Sequence, residues 1–225
     1  MMAGKLNVEA IVFDFDGTLV PTNIDFAEMR RRILQHLRAW GLYQPGVEDG
    51  KYVLEIIAWG REQLSDQPEN LARYCRETTD ILRQVELPCC QQAQPFAGVP
   101  QTLDQLREAG IKIGIITRNS QEGVGAVLAR HPLPYDVLLT RDDLAEVKPH
   151  PEHLQQALES LDVPSSRALM VGDHASDIQC GQAAGVLTCG VLTSKTTLEE
   201  FHRLGADMAF ADVPSLVAFI LEHRP

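Results

Sequence analysis

The sequence has no apolar run near the ~20 residues that a membrane-spanning helix needs, no run of lysine and arginine longer than Arg30–Arg32, and no internal repeat or low-complexity segment. A membrane span is therefore not expected. With a formal net charge of −11 and no basic run longer than that, neither is binding to a nucleic-acid backbone. The same charge repels anions in general, so a site for a phosphorylated partner must supply its own cations. Cysteine is scarce and unpatterned. Cys75, Cys89, Cys90, Cys180 and Cys189 are odd in number and form no CxxC pair of the metal-binding kind. Each reads as a small buried or incidental thiol. No secretory segment precedes the first apolar strand, and a reducing, cytoplasmic location is the expectation. The length of 225 residues suits one large domain, or a core with a smaller partner.

What is present is organised around Ile11–Val20, IVFDFDGTLV. The run Ala10–Phe13 reads as a buried parallel strand. Asp14 and Asp16 stand at its carboxyl end, where open α/β sheets place their ligands. Alternation puts both carboxylates on one side of the chain. Held that close they repel unless a cation or a shared proton lies between them. Gly17 allows a sharp turn there. An Asp-Gly pair is also an ordinary turn signal, and Asp an ordinary helix cap.

Residues 1–8 read as a short polar lead. From Asp25 to about Gln92 the pattern is helical. Ile24, Phe26, Met29, Ile33, Leu34 and Leu37 form one stripe, ended by Gly41. A second helix is expected over Gly50–Leu64. A third opens at Pro68 and ends at Leu87-Pro88. Strands and helices then alternate. Helices are expected over Val99–Ala109, Ser120–Arg130, Pro151–Leu161, Ser176–Ala184, Thr197–Leu204 and Pro214–His223. Strands are expected over Lys112–Thr117, Tyr135–Leu139, Ala168–Val171, Val186–Val191 and Met208–Phe210. This order predicts an α/β fold, a doubly wound parallel sheet, with a small all-helical insert after the first strand. The expected division is a core of residues 1–20 and 93–225 and a helical cap of residues 21–92.

In a parallel sheet the residues just after each strand face one side. Asp14 and Asp16 follow the first strand, and Thr117, Arg118 and Asn119 the second. Lys148-Pro149 lies between the third strand and its helix. Gly172-Asp173-His174-Ala175-Ser176-Asp177 follows the fourth. Several carboxylates, a hydroxyl and a lysine thus converge, an inventory suited to Mg²⁺-dependent phosphoryl transfer. Hard oxygens suit Mg²⁺, a hydroxyl, N–H groups and a lysine suit phosphate oxygens, and a carboxylate can act as nucleophile.

The motifs DFDGTLV (Asp14–Val20), IIT (Ile115–Thr117), VKPHP (Val147–Pro151) and VGDHASD (Val171–Asp177) occur in the order found in haloacid dehalogenase superfamily phosphatases. The chain resembles the phosphoglycolate phosphatase and β-phosphoglucomutase branch over essentially its whole length. That resemblance implies a Mg²⁺-dependent phosphatase acting on a small phosphorylated metabolite through an aspartyl phosphate. By the same resemblance, Asp14 is nucleophile and metal ligand. Asp16 is general acid and base, with its backbone carbonyl on the metal. Thr117 and the Arg118 N–H bind phosphate, and Lys148 offsets charge on Asp14 and the phosphate. Asp173 is the second carboxylate ligand, with Asp177 as its partner. His174 is expected to be a loop side chain near the metal. His131, His150, His153 and His202 are expected at the surface.

The insert falls where this branch carries its cap, and Arg30, Arg31, Lys51, Arg61 and Arg73 are candidates for contacts to the leaving group. Pro21-Thr22 departs from the Asp-Ser common in relatives. Two other readings stay open. One is a phosphomutase of the β-phosphoglucomutase type, although Asn23–Glu28 lacks the histidine that group carries there. The other is a catalytically silent binding protein on the same fold.

Overall fold

The computed structural model describes residues 7–224, so most of the polar lead lies outside the described residues. Six parallel strands form one sheet: β1 (Ala10–Phe13), β2 (Lys112–Ile116), β3 (Val137–Leu139), β4 (Ala168–Gly172), β5 (Leu187–Val191) and β6 (Met208–Phe210). Their order across the sheet is β3-β2-β1-β4-β5-β6. The helices are α1 (Phe26–Ala39), α2 (Val53–Glu62), α3 (Pro68–Cys90), α4 (Val99–Glu108), α5 (Gln121–Leu128), α6 (Glu152–Leu161), α7 (Ala175–Ala183), α8 (Leu198–Leu204) and α9 (Val213–Glu222). A short 3₁₀ turn over Ser165–Arg167 leads into β4.

All four side chains of β1 are buried, as the unbroken apolar run requires of a strand covered on both faces. β1 pairs with β2 and with β4, bringing Phe13 level with Ile115 and with Val171. Val12, Ile116 and Met170 pack with Leu154, Ala157, Leu158 and Leu161 of α6 in one core. The connection order reverses between β1 and β4, and the carboxyl ends on either side of such a reversal open the crevice in which these sheets bind ligands.

Several element ends shift by one to three residues from the sequence expectation, and two of these shifts have a specific cause. β3 begins at Val137 rather than Tyr135, because the Ile113 N–H is taken by the Asp136 carboxylate and ladder pairing starts only at Gly114↔Val137. α3 continues through Pro88 to Cys90. A proline in the last turn removes one ladder bond, and the Gln91 N–H still reaches the Leu87 carbonyl at 2.9 Å.

The chain divides into two compact units, one up to Asn23 and from Ala93 onward, the other Ile24–Gln92. Within the second, α1, α2 and α3 bury Met29, Ile33, Leu37, Ile56, Tyr74 and Leu82. Phe26, expected on the buried stripe, is 52% exposed at the first turn of α1. The Arg30 guanidinium donates to the carbonyls of Glu48 and Lys51. Arg31 pairs with Glu28, Arg73 with Glu77, and the Lys51 ammonium donates to the Val47 carbonyl.

Candidate active site

Two glycines set how closely the strand-end loops approach. Gly17 adopts φ +90°, and a Cβ there would collide with the Asp173 carboxylate. A Cβ on Gly172 would collide with the Asp177 carboxylate. The Asp14 N–H donates to the Val171 carbonyl at 2.8 Å, continuing the β1–β4 ladder by one residue. Asp14 and Asp173 are thereby held side by side at the reversal.

The Lys148 ammonium lies 2.5 Å from Asp14 Oδ1 and 2.8 Å from Asp177 Oδ1, and all three side chains are buried. Thr18 Oγ1 is 3.2 Å from Asp14 Oδ2 and 3.1 Å from Asp173 Oδ1. Its single proton serves one of the two at a time. Oxygens of Asp14, Asp173 and Asp177 lie within 4.8 Å of one another.

Burial raises the Asp14 carboxyl well above the usual range. Lys148 opposes this, while the charges of Asp177, Asp173 and Asp16 add to it. Asp173 is raised likewise, by burial first and then by Asp177, against the pull of the Ser194 and Thr18 hydroxyls and of Lys148. Burial alone would lower the Lys148 ammonium, but Asp14 and Asp177 hold it above its ordinary value. Three carboxylates therefore share one ammonium, and negative charge is left over. A hard divalent cation fits such a set of carboxylate oxygens and would remove the excess.

Asp16 belongs to a different hydrogen-bond set. Thr117 Oγ1 donates to Asp16 Oδ2 at 2.8 Å, and Asn119 Nδ2 donates to Asp16 Oδ1 at 2.9 Å. The Thr117 hydroxyl also accepts from the Asn119 N–H at 3.0 Å. Strand alternation places Asp14 and Asp16 on one side. β1 stops at Phe13, so the pleat does not run through them, and their side chains find different partners. Arg118 is half-buried, and its carbonyl accepts from Arg141.

His174 begins α7 as its cap. Its Nδ1 accepts from the Ser176 N–H, and its own N–H donates to Asp177 Oδ2 at 3.1 Å. Burial holds its imidazole below the usual value, with Arg118 and Lys148 acting the same way and Asp177 opposing. Of the histidines expected at the surface, His150 and His202 are exposed, but His153 is completely buried. That is a correction. His153 stands on the buried stripe His153–Ala157–Leu161 of α6, and this i, i+4, i+8 spacing was the signal available.

Thr18, Thr193 and Ser194 are further residues not singled out beforehand. The Thr193 hydroxyl donates to the Gly17 carbonyl at 2.5 Å, and the Ser194 hydroxyl to the Asp173 carbonyl at 3.0 Å. They follow β5, whose carboxyl end lies on the same side as the others. The signal in the sequence is their place just after the apolar run of β5.

The family of haloacid dehalogenase-like hydrolases matches residues 11–191 of the chain. A pyrophosphatase, PpaX of Bacillus cereus, is 33% identical over 194 residues, covering 83% of this chain and 84% of its own. The structure of CbbY from Rhodobacter sphaeroides in complex with phosphate superposes with a TM-score of 0.62 at 26% identity, over 93% of this chain and 96% of that one. A Haemophilus somnus protein described as a predicted phosphoglycolate phosphatase superposes with a TM-score of 0.65 at 20% identity, over 95% and 98% of the two chains. With its motifs at the ends of this six-stranded parallel sheet and the family match running from β1 to β5, the chain belongs to the haloacid dehalogenase-like hydrolases.

Proposed function

We propose that this hydrolase of phosphoric esters is a Mg²⁺-dependent phosphatase of a small phosphorylated metabolite, with Asp14 as its nucleophile. The observation that carries this is the Lys148 ammonium held between Asp14 and Asp177, beside Asp173, at the end of the central strand. Asp14 attacks phosphorus, the bond from phosphorus to the leaving oxygen breaks, and Asp16 gives that oxygen its proton. Asp16, now a carboxylate, takes a proton from water as the water attacks the aspartyl phosphate. The Asp14–phosphorus bond breaks and phosphate departs. Lys148 offsets the charge on Asp14 and the phosphoryl group. Thr117 and the Arg118 N–H are the phosphate donors. Thr193 and Ser194 hold the loops that carry Gly17 and Asp173 in place. Mg²⁺, held by Asp14 and Asp173 with Asp177 and the Asp16 carbonyl as further donors, would supply positive charge to the phosphoryl oxygens. Residues 21–92 are assigned the choice of leaving group.

The name of the PpaX relative favours a second substrate reading, in which inorganic pyrophosphate replaces the ester. Purified protein is assayed for phosphate release from a panel of phosphomonoesters and from pyrophosphate, with Mg²⁺ and with EDTA. Release from one or more esters only with Mg²⁺ supports the first reading, and release confined to pyrophosphate supports the second. No release from any of them rejects both and leaves a silent binding protein.

A further inference from the structure

We infer that His153 is a positioning residue for Lys148, a neutral imidazole strut that ties the backbone of Lys148 to the end of β3 and, through it, to Thr117. The inference rests on the phosphatase reading for the importance of Lys148, and on geometry for the rest. His153 stands in the first turn of α6 and is completely buried. Its Nδ1 lies 3.4 Å from the Lys148 N–H, and its Nε2 lies 3.2 Å from the Leu139 carbonyl. A backbone N–H only donates, so Nδ1 must be the unprotonated nitrogen. The proton then sits on Nε2 and is donated to Leu139. The same Leu139 carbonyl accepts from the Thr117 N–H at 3.0 Å.

One side chain thus links the peptide that bears the lysine to the peptide that bears the phosphate-binding threonine. A doubly protonated ring would set N–H against N–H at Lys148. The environment opposes that form. Burial and the Lys148 charge push the imidazole down to about 3, outweighing the Leu139 carbonyl and the carboxylates of Asp143 and Asp177. A purely space-filling role on the apolar stripe of α6 would be met equally by a phenyl ring. The strut would not, because phenyl leaves the Lys148 N–H without an acceptor.

Two measurements on the full chain decide between these. The first is steady-state turnover of p-nitrophenyl phosphate with Mg²⁺. His153→Phe is expected to lower kcat by about tenfold to a hundredfold, the order that small misplacements of catalytic groups produce. KM should stay within about threefold. His153→Asn, whose Oδ1 can take the place of Nδ1 but which has no atom at the Nε2 position, should recover part of the lost kcat. Wild-type turnover in the Phe variant, or an Asn variant no better than Phe, overturns the strut. The second is nitrogen NMR of the wild-type protein labelled at histidine, with His153 assigned through its ring contacts. A neutral ring protonated on Nε2 is expected at pH 7. A proton on Nδ1, or on both nitrogens, overturns the proposal. If the wild type releases phosphate from no ester, the phosphatase reading falls and the NMR result alone decides the strut. The same holds if the Phe variant does not fold.

Discussion

Replacing Asp14 with Asn removes the attacking anion at nearly constant volume. Turnover of every ester should be lost while circular dichroism and the unfolding midpoint stay near wild type; turnover in the folded variant would reject Asp14 as nucleophile. Asp173→Ala takes one hard oxygen from the carboxylate set. The Mg²⁺ concentration for half-maximal activity should rise about tenfold or more, and an unchanged titration would place the cation elsewhere. His153 makes a prediction about stability and pH. Its imidazole titrates near 6.5 when unfolded and is lowered to about 3 when folded. Its contribution is thus present above pH 6.5 and is lost as pH falls through that window, where the unfolded chain takes up a proton that the native one refuses. Between pH 7.5 and about 5, the urea midpoint of the wild type should fall more than that of His153→Asn. Asp14, Thr117 and Asp173 stand out in the sequence because each lies at or just past the end of an apolar strand, whereas Lys148, nine residues beyond β3, stands out only through its motif. His153 could not be found by that rule. It sits inside a helix, and its polarity concealed a position that spacing alone marks as buried.

Among the elements, the sheet was legible because each strand is a short apolar run followed by a helix. Its edge was less so. Nothing in Tyr135-Asp136 announces that a side chain, rather than a backbone group, will take the Ile113 N–H and shorten β3. The end of α3 runs past its apparent stop for a related reason. Pro88 reads as a stop, yet in a last turn it removes a single bond. Pro88 is exposed, so Pro88→Ala loses little contact and regains that bond. The second unit should be stabilised by about 1 kcal/mol, the helix-propensity gain less the unfolded chain's added freedom. A urea midpoint that falls would mean the ring makes contacts that outweigh the bond. The loop after β5 belongs with the other strand ends. Thr193 and Ser194 carry no charge, but their hydroxyls tie the loop after β5 to the Gly17 and Asp173 carbonyls.

At the scale of the whole molecule, the net charge of −11 opposes the approach of a dianionic ester. Raising ionic strength from about 0.05 M to about 0.2 M shortens the reach of that repulsion. KM for such an ester should fall while kcat holds, and a KM that rises instead would show that local cations dominate encounter. The strand order has a different consequence, concerning how the chain is made. β1 is the central strand, yet it is the first to leave the ribosome. Its partners β2 and β4 begin only at Lys112 and Ala168, with the whole Ile24–Gln92 unit emerging in between. That helical unit has its contacts close together in sequence and is able to fold while β1 is still unpaired. A strand that is buried along its whole length therefore waits for both of its neighbours. During synthesis the demand for a chaperone should centre on Ala10–Phe13 and last until Gly172 has emerged.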